Sequence, residues 1–578
     1  MNISLLFNVF LGETSPLIAA RIDSQAYEMG ARRVENLIPM LTGGIRKRPG
    51  TWYNGTTKNN NAARLIEWLL PNGNCVILEF TTGTIRVWQQ NESEGYPYQV
   101  IQELSNPYET EEEIRDIKYA ASANSLWVVH PAHQPLKLTW EGDQAVISFP
   151  DFTGKDFTTE GNHPGSAAFD AGRLCFAGTI NEPNRIFMSK APDSQTGEDR
   201  YTDFTAGDNP ADAIVLEEND MHGSRLQWIA ANRRLLAATE RATWSDTGDI
   251  PTPSTFDMNI IEYAGANGLQ ARGTKEMMVY AGRSGKTLRA LVWTNSDSGE
   301  GFIDMDISEQ AAHLFSSGIK DFAVADYPYP VIWIVTKAGA LISCTANIKS
   351  GFLAYARHPT DGLVEAVAVS PERDGDVVFL EVKRGDSRNI EHLILEDLVN
   401  ADFADSHYID AGESRTFNPP TKIITGLERF AGKTIRAFVD GAAEPPVRVD
   451  DTGVAEFQVN VSKVHLGLPY KAVFSPNTRQ IPANGTSLGK KRRIEKVMIQ
   501  FYKSLGGRVG TTEEKSEEII TQRFGSYVLG SAPEPFTGEI DITVSGNIDP
   551  EGKIIITQDE PVPFTILALV ERIAVLEA

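Results

Sequence analysis

From residue 64 to about residue 398, short apolar runs alternate with short turns rich in Gly, Asn, Asp and Ser. Few stretches hold a 3.6-residue apolar period long enough for a helix, so the pattern predicts strands. The turns have hairpin chemistry: Pro71-Asn72-Gly73-Asn74, Gly83 and Lys337-Ala338-Gly339 each separate two apolar runs. Seven such units can be marked, at 64–89, 117–140, 167–189, 226–246, 277–306, 319–347 and 363–397. Their spacing, roughly 40 to 60 residues, suits propeller blades joined by some long loops. The middle run of a unit is the most continuous, as in Leu126-Trp127-Val128-Val129, Ile332-Trp333-Ile334-Val335 and Val377-Val378-Phe379-Leu380. Strands buried on both faces read this way, and radial repetition leaves only short, protected edges. The predicted fold class is all-β, with a β-propeller of six to seven blades over 64–398. A set of β-sandwiches is the competing architecture.

The texture changes after residue 400, where Asn418-Pro419-Pro420 marks a break. Strands are expected at 434–439, 454–461 and 471–474, and the alternation of Val497, Ile499 and Phe501 predicts a half-buried strand. Residues 541–544 and 553–557 read as a pair around a turn, and 562–570 as a last apolar strand. These form a second β-rich domain over 399–578. The opening MNISLLFNVFLGETSP lacks Lys or Arg before its apolar stretch and reads as a strand rather than a signal peptide. The polar stretches 91–113, ending in Glu109, Glu111, Glu112 and Glu113, and 190–212 read as long excursions from the propeller rim.

Charge narrows the picture. With 54 Lys and Arg against 77 Asp and Glu, the formal net charge is −23 and the pI about 4.9. That balance disfavours a protein that grips nucleic acid by neutralising phosphates. Against it, the stretch from Ala31 to Tyr53 is conspicuous. Arg46, Lys47 and Arg48 follow a Gly43-Gly44 turn and stop at Pro49-Gly50. A second cluster, Lys490, Lys491, Arg492 and Arg493, follows far downstream, with Lys496 close by. Both clusters are candidates for an assembly interface on one acidic protein surface; for Lys490 to Arg493 a solvated strand end and a direct DNA contact are the other readings. Arg46, Lys47 and Arg48 would rest on carboxylates, within the subunit or across a ring. Gly43-Gly44 is expected to turn the chain between the second domain and the propeller.

Candidate chemistry is thin. His130-x-x-His133 sits among Pro131 and Pro135 with no third ligand nearby, which favours a turn over a metal site. Asp220, Asp304 and Asp306 lack an EF-hand loop and read as solvated strand-edge acids. Gly485-Thr486-Ser487-Leu488-Gly489 follows Pro482 and precedes a basic strand, not the strand-to-helix setting of a nucleophile elbow. Gly285-Lys286-Thr287 has Tyr280 where a P-loop needs its first Gly, and reads as a hairpin turn. Three separated cysteines, Cys75, Cys175 and Cys344, fit reduced thiols in β-cores. Mean hydropathy is −0.24, and no apolar run reaches the ~18 residues of a membrane-spanning helix. The expectation is no enzyme, no cofactor and no metal.

The stretch SPLIAARIDSQAYEMGARRVENLIPMLTGGIRKRPGTWY resembles the start of tail nozzle proteins of short-tailed bacteriophages, also called tail tubular protein B or phage stabilisation protein. The matching positions are Ser15, Pro16, Leu17, Arg21, Asp23, Tyr27, Gly30, Arg33, Glu35, Asn36, Gly43, Gly44, Lys47, Arg48, Pro49, Gly50 and Thr51. Lys47 departs from the more usual arginine, keeping the charge but losing the planar fork. Residues 465–470 (HLGLPY), 489–510, 536–539 and 558–570 resemble the family as well, so the likeness covers both ends of the chain and the middle only in texture. The resemblance implies a virion tail protein assembled in the host cytoplasm. It implies a homohexameric ring below the adaptor (head-to-tail connector) ring, with an outer propeller and a β-platform to which 1–63 also belongs. It further implies that tail fibres or spikes attach, and that double-stranded DNA passes the lumen without sequence-specific binding. The competing functions are a peripheral receptor- or carbohydrate-binding propeller and a propeller glycan hydrolase.

Overall fold

The middle strand of every predicted unit sends alternate residues into two different cores. In Ser125–His130, Leu126 and Val128 enter one cluster while Trp127 and Val129 enter the next. The same split runs through Arg173–Ala177, Arg234–Thr239, Met277–Ala281, Val331–Thr336 and Val377–Arg384. Period-two geometry with an apolar neighbour on each face explains why these strands look uniformly hydrophobic.

This computed structural model describes residues 2–7, 10–19, 21, 24–91, 98–122, 124–217, 224–248, 250–274, 276–296, 299–373, 375–395, 403, 407–479, 491–521, 532–544 and 552–576. Seven antiparallel blades follow one another, starting at Arg64–Leu69, Lys118–Ala121, Ser166–Asp170, Leu226–Asn232, Arg272–Gly273, Ile319–Ala325 and Leu363–Ser370. Each consecutive pair shares a core. The last of these, with Leu65, Ile77, Trp88, Phe379 and Ile390, joins the seventh blade to the first. The ring is therefore closed: the described residues between 64 and 395 form a seven-bladed β-propeller.

The fourth strand of the seventh blade comes from the other end of the chain. Trp52–Thr56 pairs with Ser387–Ile394, with Trp52 opposite His392 and Gly55 opposite Ile390. It also runs parallel to Asp410–Ile424 through Trp52 and Gly412, so the blade's sheet continues beyond the propeller. The sixth blade continues likewise. Its outer strand, Phe352–Arg357, pairs with Ala31–Glu35, which pairs in turn with Ala472–Pro476.

Beyond the propeller the described residues form a small cluster of Phe438, Leu505 and Val562 and two large cores. One lies within 410–468 and holds Ile424, Phe430, Ile435, Phe457 and Val464. The other is a sandwich built from both chain ends, with Phe7, Phe10, Val34 and Ile45 against Phe474, Val497, Ile499, Phe501, Ile566 and Ile573. One of its sheets orders Leu37–Pro39, Ile45–Lys47, Thr565–Leu576, Lys491–Ser504 and Phe536–Thr543, and Asn2–Phe7 also pairs with Thr565–Leu576. The expected pairing of 541–544 with 553–557 does not occur. Phe536–Thr543 pairs with Lys491–Ser504, while Ile555–Gln558 joins the opposite sheet. Among the described residues no helix is long and apolar enough to cross a membrane.

Ring closure makes Phe379 a diagnostic position, since it is fully buried at the joint between last and first blades. Phe379→Ala is expected to cost about 3–5 kcal/mol in denaturant melts. It should speed hydrogen exchange in Arg64–Leu69 as well as in Leu363–Ser370. A loss confined to the seventh blade would contradict closure.

Candidate functional site

The charged stretch from Ala31 to Tyr53 folds as a series of short strands stitched between the propeller and the C-terminal part. Asn36 ends the strand Ala31–Glu35 in the left-handed region, at φ 54°. Its amide donates to the carbonyls of Pro359 at 3.0 Å and Lys471 at 2.8 Å, and its Oδ1 accepts from Arg48 Nε at 2.8 Å. One asparagine thus touches the sixth-to-seventh blade connection, the platform and the basic cluster. Gly43, at φ 104°, and Gly44 close a hairpin between Leu37–Pro39 and Ile45–Lys47 inside the sandwich sheet. This corrects the expectation that they turn the chain toward the propeller. The crossing lies later, at Pro49-Gly50, where a Cβ on Gly50 would stand 2.1 Å from the Ile409 carbonyl oxygen.

Arg48 forms a fork-to-fork pair with Asp410, Nη1 to Oδ1 at 2.8 Å and Nη2 to Oδ2 at 2.7 Å, with both side chains buried. Its guanidinium lies 4.0 Å from the centre of the Tyr470 ring, and the Tyr470 hydroxyl donates to the Arg48 carbonyl. A second buried pair adjoins it: Arg384 Nε and Nη2 donate to the two Glu391 oxygens at 2.6 and 2.8 Å. Two threonines couple the pairs into one network. Thr360 donates to Asp410 at 2.6 Å and accepts from Arg384 at 3.0 Å, while Thr51 donates to Glu391 at 2.5 Å and accepts from the Ala411 amide at 2.8 Å. Burial alone would raise the Asp410 carboxyl. Arg48, followed by Arg384 and Thr360, outweighs it and holds Asp410 below its ordinary value.

Lys47 is fully buried. It donates to the Glu560 carbonyl at 2.5 Å and faces the Tyr470 ring at 4.8 Å. Burial, and then repulsion from Arg48, lowers its pKa to about 7. Arg46 is buried too. As an assembly interface these three are corrected by their burial; of the two settings expected, the one within the subunit holds for Arg48 on Asp410, while Lys47 meets a backbone carbonyl rather than a carboxylate. In the second cluster, Lys490 lies outside the described residues. Lys491 and Arg493 are exposed, whereas Arg492 turns inward and donates to the Arg479 carbonyl at 2.6 Å. The two clusters do not share a surface. Arg46 stands opposite Thr565 and Arg492 opposite Val575 on one strand, a separation of about 33 Å at ~3.3 Å per residue.

Around this network lie buried imidazoles. Trp52 stacks on His407 with ring centres 3.7 Å apart, and His465 stands edge-on at 5.8 Å from Trp52. Burial, with His465 close by, pushes His407 down to about 3, and burial does the same to His392.

Elsewhere the motifs resolve into structure. His133 pairs with Glu113 at 3.2 Å and His130 approaches Asp116 at 4.0 Å, both acids belonging to the short helix Glu111–Asp116. Thr110 and Glu113 form a capping box at its start, which accounts for the acidic run. No group of three metal-ligating side chains occurs among the described residues. Asp304 is buried against Arg289 Nε at 2.9 Å, Thr243 and Tyr280, a correction to the solvated reading. Gly485 to Gly489 and Asp220 lie outside the described residues.

The propeller axis holds a cavity of about 430 Å³, walled by small residues such as Ala121, Ala168 and Ala231 together with Phe169, Ile229 and Val369. Arg272 of the fifth blade crosses it to Glu67 of the first, at 3.1 Å, and to Tyr119 of the second. Gln270 bonds the Tyr119 backbone in both directions, at 2.7 and 3.1 Å. The polar groups there satisfy one another.

No family model matches the chain, and neither does a curated protein. Similar solved structures include the Neurospora crassa Pan2 WD40 domain, with TM-score 0.37 and 10% identity over 62% of this chain and 96% of that one. A chain of the Mitotic Checkpoint Complex gives 0.35 and 11% over 60% and 94%. Chaetomium thermophilum Raptor gives 0.37 and 10% over 60% of this chain and 29% of that one. At such scores the propeller rests on its own seven sheets and shared cores.

Arg48→Ala leaves Asp410 buried without its partner and is expected to cost about 3–5 kcal/mol, most of it recovered in Arg48→Met/Asp410→Leu. A loss below ~1 kcal/mol would show that the pair does not hold the junction. In the unfolded chain His407 takes its proton near 6.5, whereas in the folded chain it does so only near 3. Its contribution is thus present above 6.5 and lost as pH falls through that window. His407→Phe should make stability fall less steeply below pH 6.5; an unchanged slope would contradict this assignment.

Proposed function

We propose that the chain is a structural subunit of a bacteriophage tail nozzle, forming a hexameric ring below the adaptor. The ring extends the DNA channel, retains packaged DNA and supports fibre or spike attachment and genome ejection. One observation carries this reading. Residues of the two family-like motifs, at opposite ends of the chain, meet as neighbours: Asn36 and Arg48 of the first contact Tyr470 and Lys471 in and beside the second. A motif pair with a shared structural task is more specific than either string. The acidic balance of the chain fits a lumen along which phosphates slide without lasting partners.

A peripheral carbohydrate-binding propeller is the second reading. It calls for an aromatic-lined pocket at a propeller mouth. The axial cavity has eight alanines among its walls, and its two rings are engaged, Tyr119 with Glu67 and Arg272 and Phe169 against Tyr201, which favours the structural role. The same pairing of Glu67 with Arg272 gives the glycan hydrolase reading no support at that site.

Native mass spectrometry and symmetric electron microscopy of the chain mixed with adaptor rings test the proposal. Six copies on each adaptor ring are expected. A stable monomer that binds glycan, or that ignores the adaptor, would overturn it.

A further inference from the structure

The strand Lys491–Ser504 alternates sharply. Ile494, Val497, Ile499 and Phe501 face the sandwich core, while Lys491, Arg493 and Lys496 are exposed on the other face. Register adds a fourth cation, because Lys496 stands directly opposite the half-exposed Arg572 on Thr565–Leu576. Like charges placed opposite each other across a ladder are unfavourable in the isolated sheet. Arg572 approaches Asp541 at 3.9 Å, and Lys496 has Glu495 beside it in the chain and Asp541 on its diagonal across the ladder. No ion pair among the described residues engages Lys491, Arg493 or Lys496. In a chain with an excess of carboxylates, a cationic strip left to solvent calls for an outside partner.

The opposite sheet of the same sandwich ends in the edge strand Ser516–Glu518, which among the described residues pairs only with Arg508–Gly510; Glu514, Glu517 and Glu518 are exposed there, with Arg508 opposite Glu518. Ile520, just beyond, is 74% exposed. Lys515 lies within this acidic run. The cations cannot reach this edge within one chain, because they project away from the core that separates the two sheets.

We propose that the strip Lys491, Arg493, Lys496 and Arg572 docks on the Glu514, Glu517 and Glu518 edge of a second copy. This contact rests on the ring reading above and gives it a direction. Two different, oppositely charged patches on one subunit make a head-to-tail contact, which closes into a ring when its rotation allows. Charge complementarity of this kind sets register and partner choice.

The test uses Lys491→Glu/Arg493→Glu/Lys496→Glu and, separately, Glu514→Lys/Glu517→Lys/Glu518→Lys in the full chain, with melting curves confirming the fold. Sedimentation with adaptor present is expected to show ring assembly for the wild type and its loss in each triple variant. An equimolar mixture of the two variants should restore rings, because each reversed patch then meets its complement on the other variant. Wild-type-like assembly of either variant alone, or no rescue on mixing, overturns the contact while leaving the ring reading intact. If the strip variant assembles normally but loses binding to duplex DNA in a gel-shift assay, the partner is nucleic acid and the proposal is wrong. A wild type that forms no ring removes both readings.

Discussion

Two arginines and two carboxylates, buried together where three parts of the chain meet, set the terms for the rest of the molecule. Arg48 comes from the N-terminal segment, Arg384 and Glu391 from the seventh blade, and Asp410 from the strand that leaves the propeller. Removing one charge strands another in a dry environment, so the four must be assembled together or not at all. Thr51 and Thr360 supply the remaining hydrogen bonds, and Asn36 and Tyr470 lock the Arg48 backbone and guanidinium. Such a network contributes specificity of arrangement more than raw stability.

The N-terminal segment then acts as stitching. Asn2–Phe7 and Ile45–Lys47 pair with Thr565–Leu576, Ala31–Glu35 joins the sixth blade to the platform, and Trp52–Thr56 completes the seventh blade. Closing a propeller with a strand from far away in sequence makes the ring cooperative with whatever holds that strand. Here the holder is the buried charge network, flanked by Trp52 on His407. Blades six and seven therefore run by backbone ladders into the C-terminal part, and the alanine-walled axis is braced separately by Arg272.

The propeller was legible because its signal is local. Continuous runs such as Val377 to Leu380, with a Gly or Asn turn on each side, state their own burial, and all seven marked units became blades. The outer strands were harder: Tyr98–Ser105 alternates exposed and half-buried residues after Tyr98, and Trp52–Thr56 is half-exposed along most of its length. Its place in the seventh blade depends on a pairing over more than 300 residues, which no local period encodes. The site was half legible. Arg48, Pro49 and Gly50 stood out by charge and turn chemistry, but Asp410, Glu391 and Arg384 were three among many charged residues. Nothing in the sequence distinguished the carboxylates that would be buried. The first cluster misled on exposure, since charge implies water unless a partner is known, and the partner of Arg48 lies 362 positions away.

If the charge network makes propeller and platform one cooperative body, hydrogen exchange followed along a thermal ramp must show them opening together. The amides of Val377–Arg384 in the seventh blade and of Ile555–Gln558 in the platform are the ones to compare. A single shared midpoint for both is the predicted result. Two well-separated midpoints, with the propeller strands still protected after the platform strands have exchanged, would contradict the account.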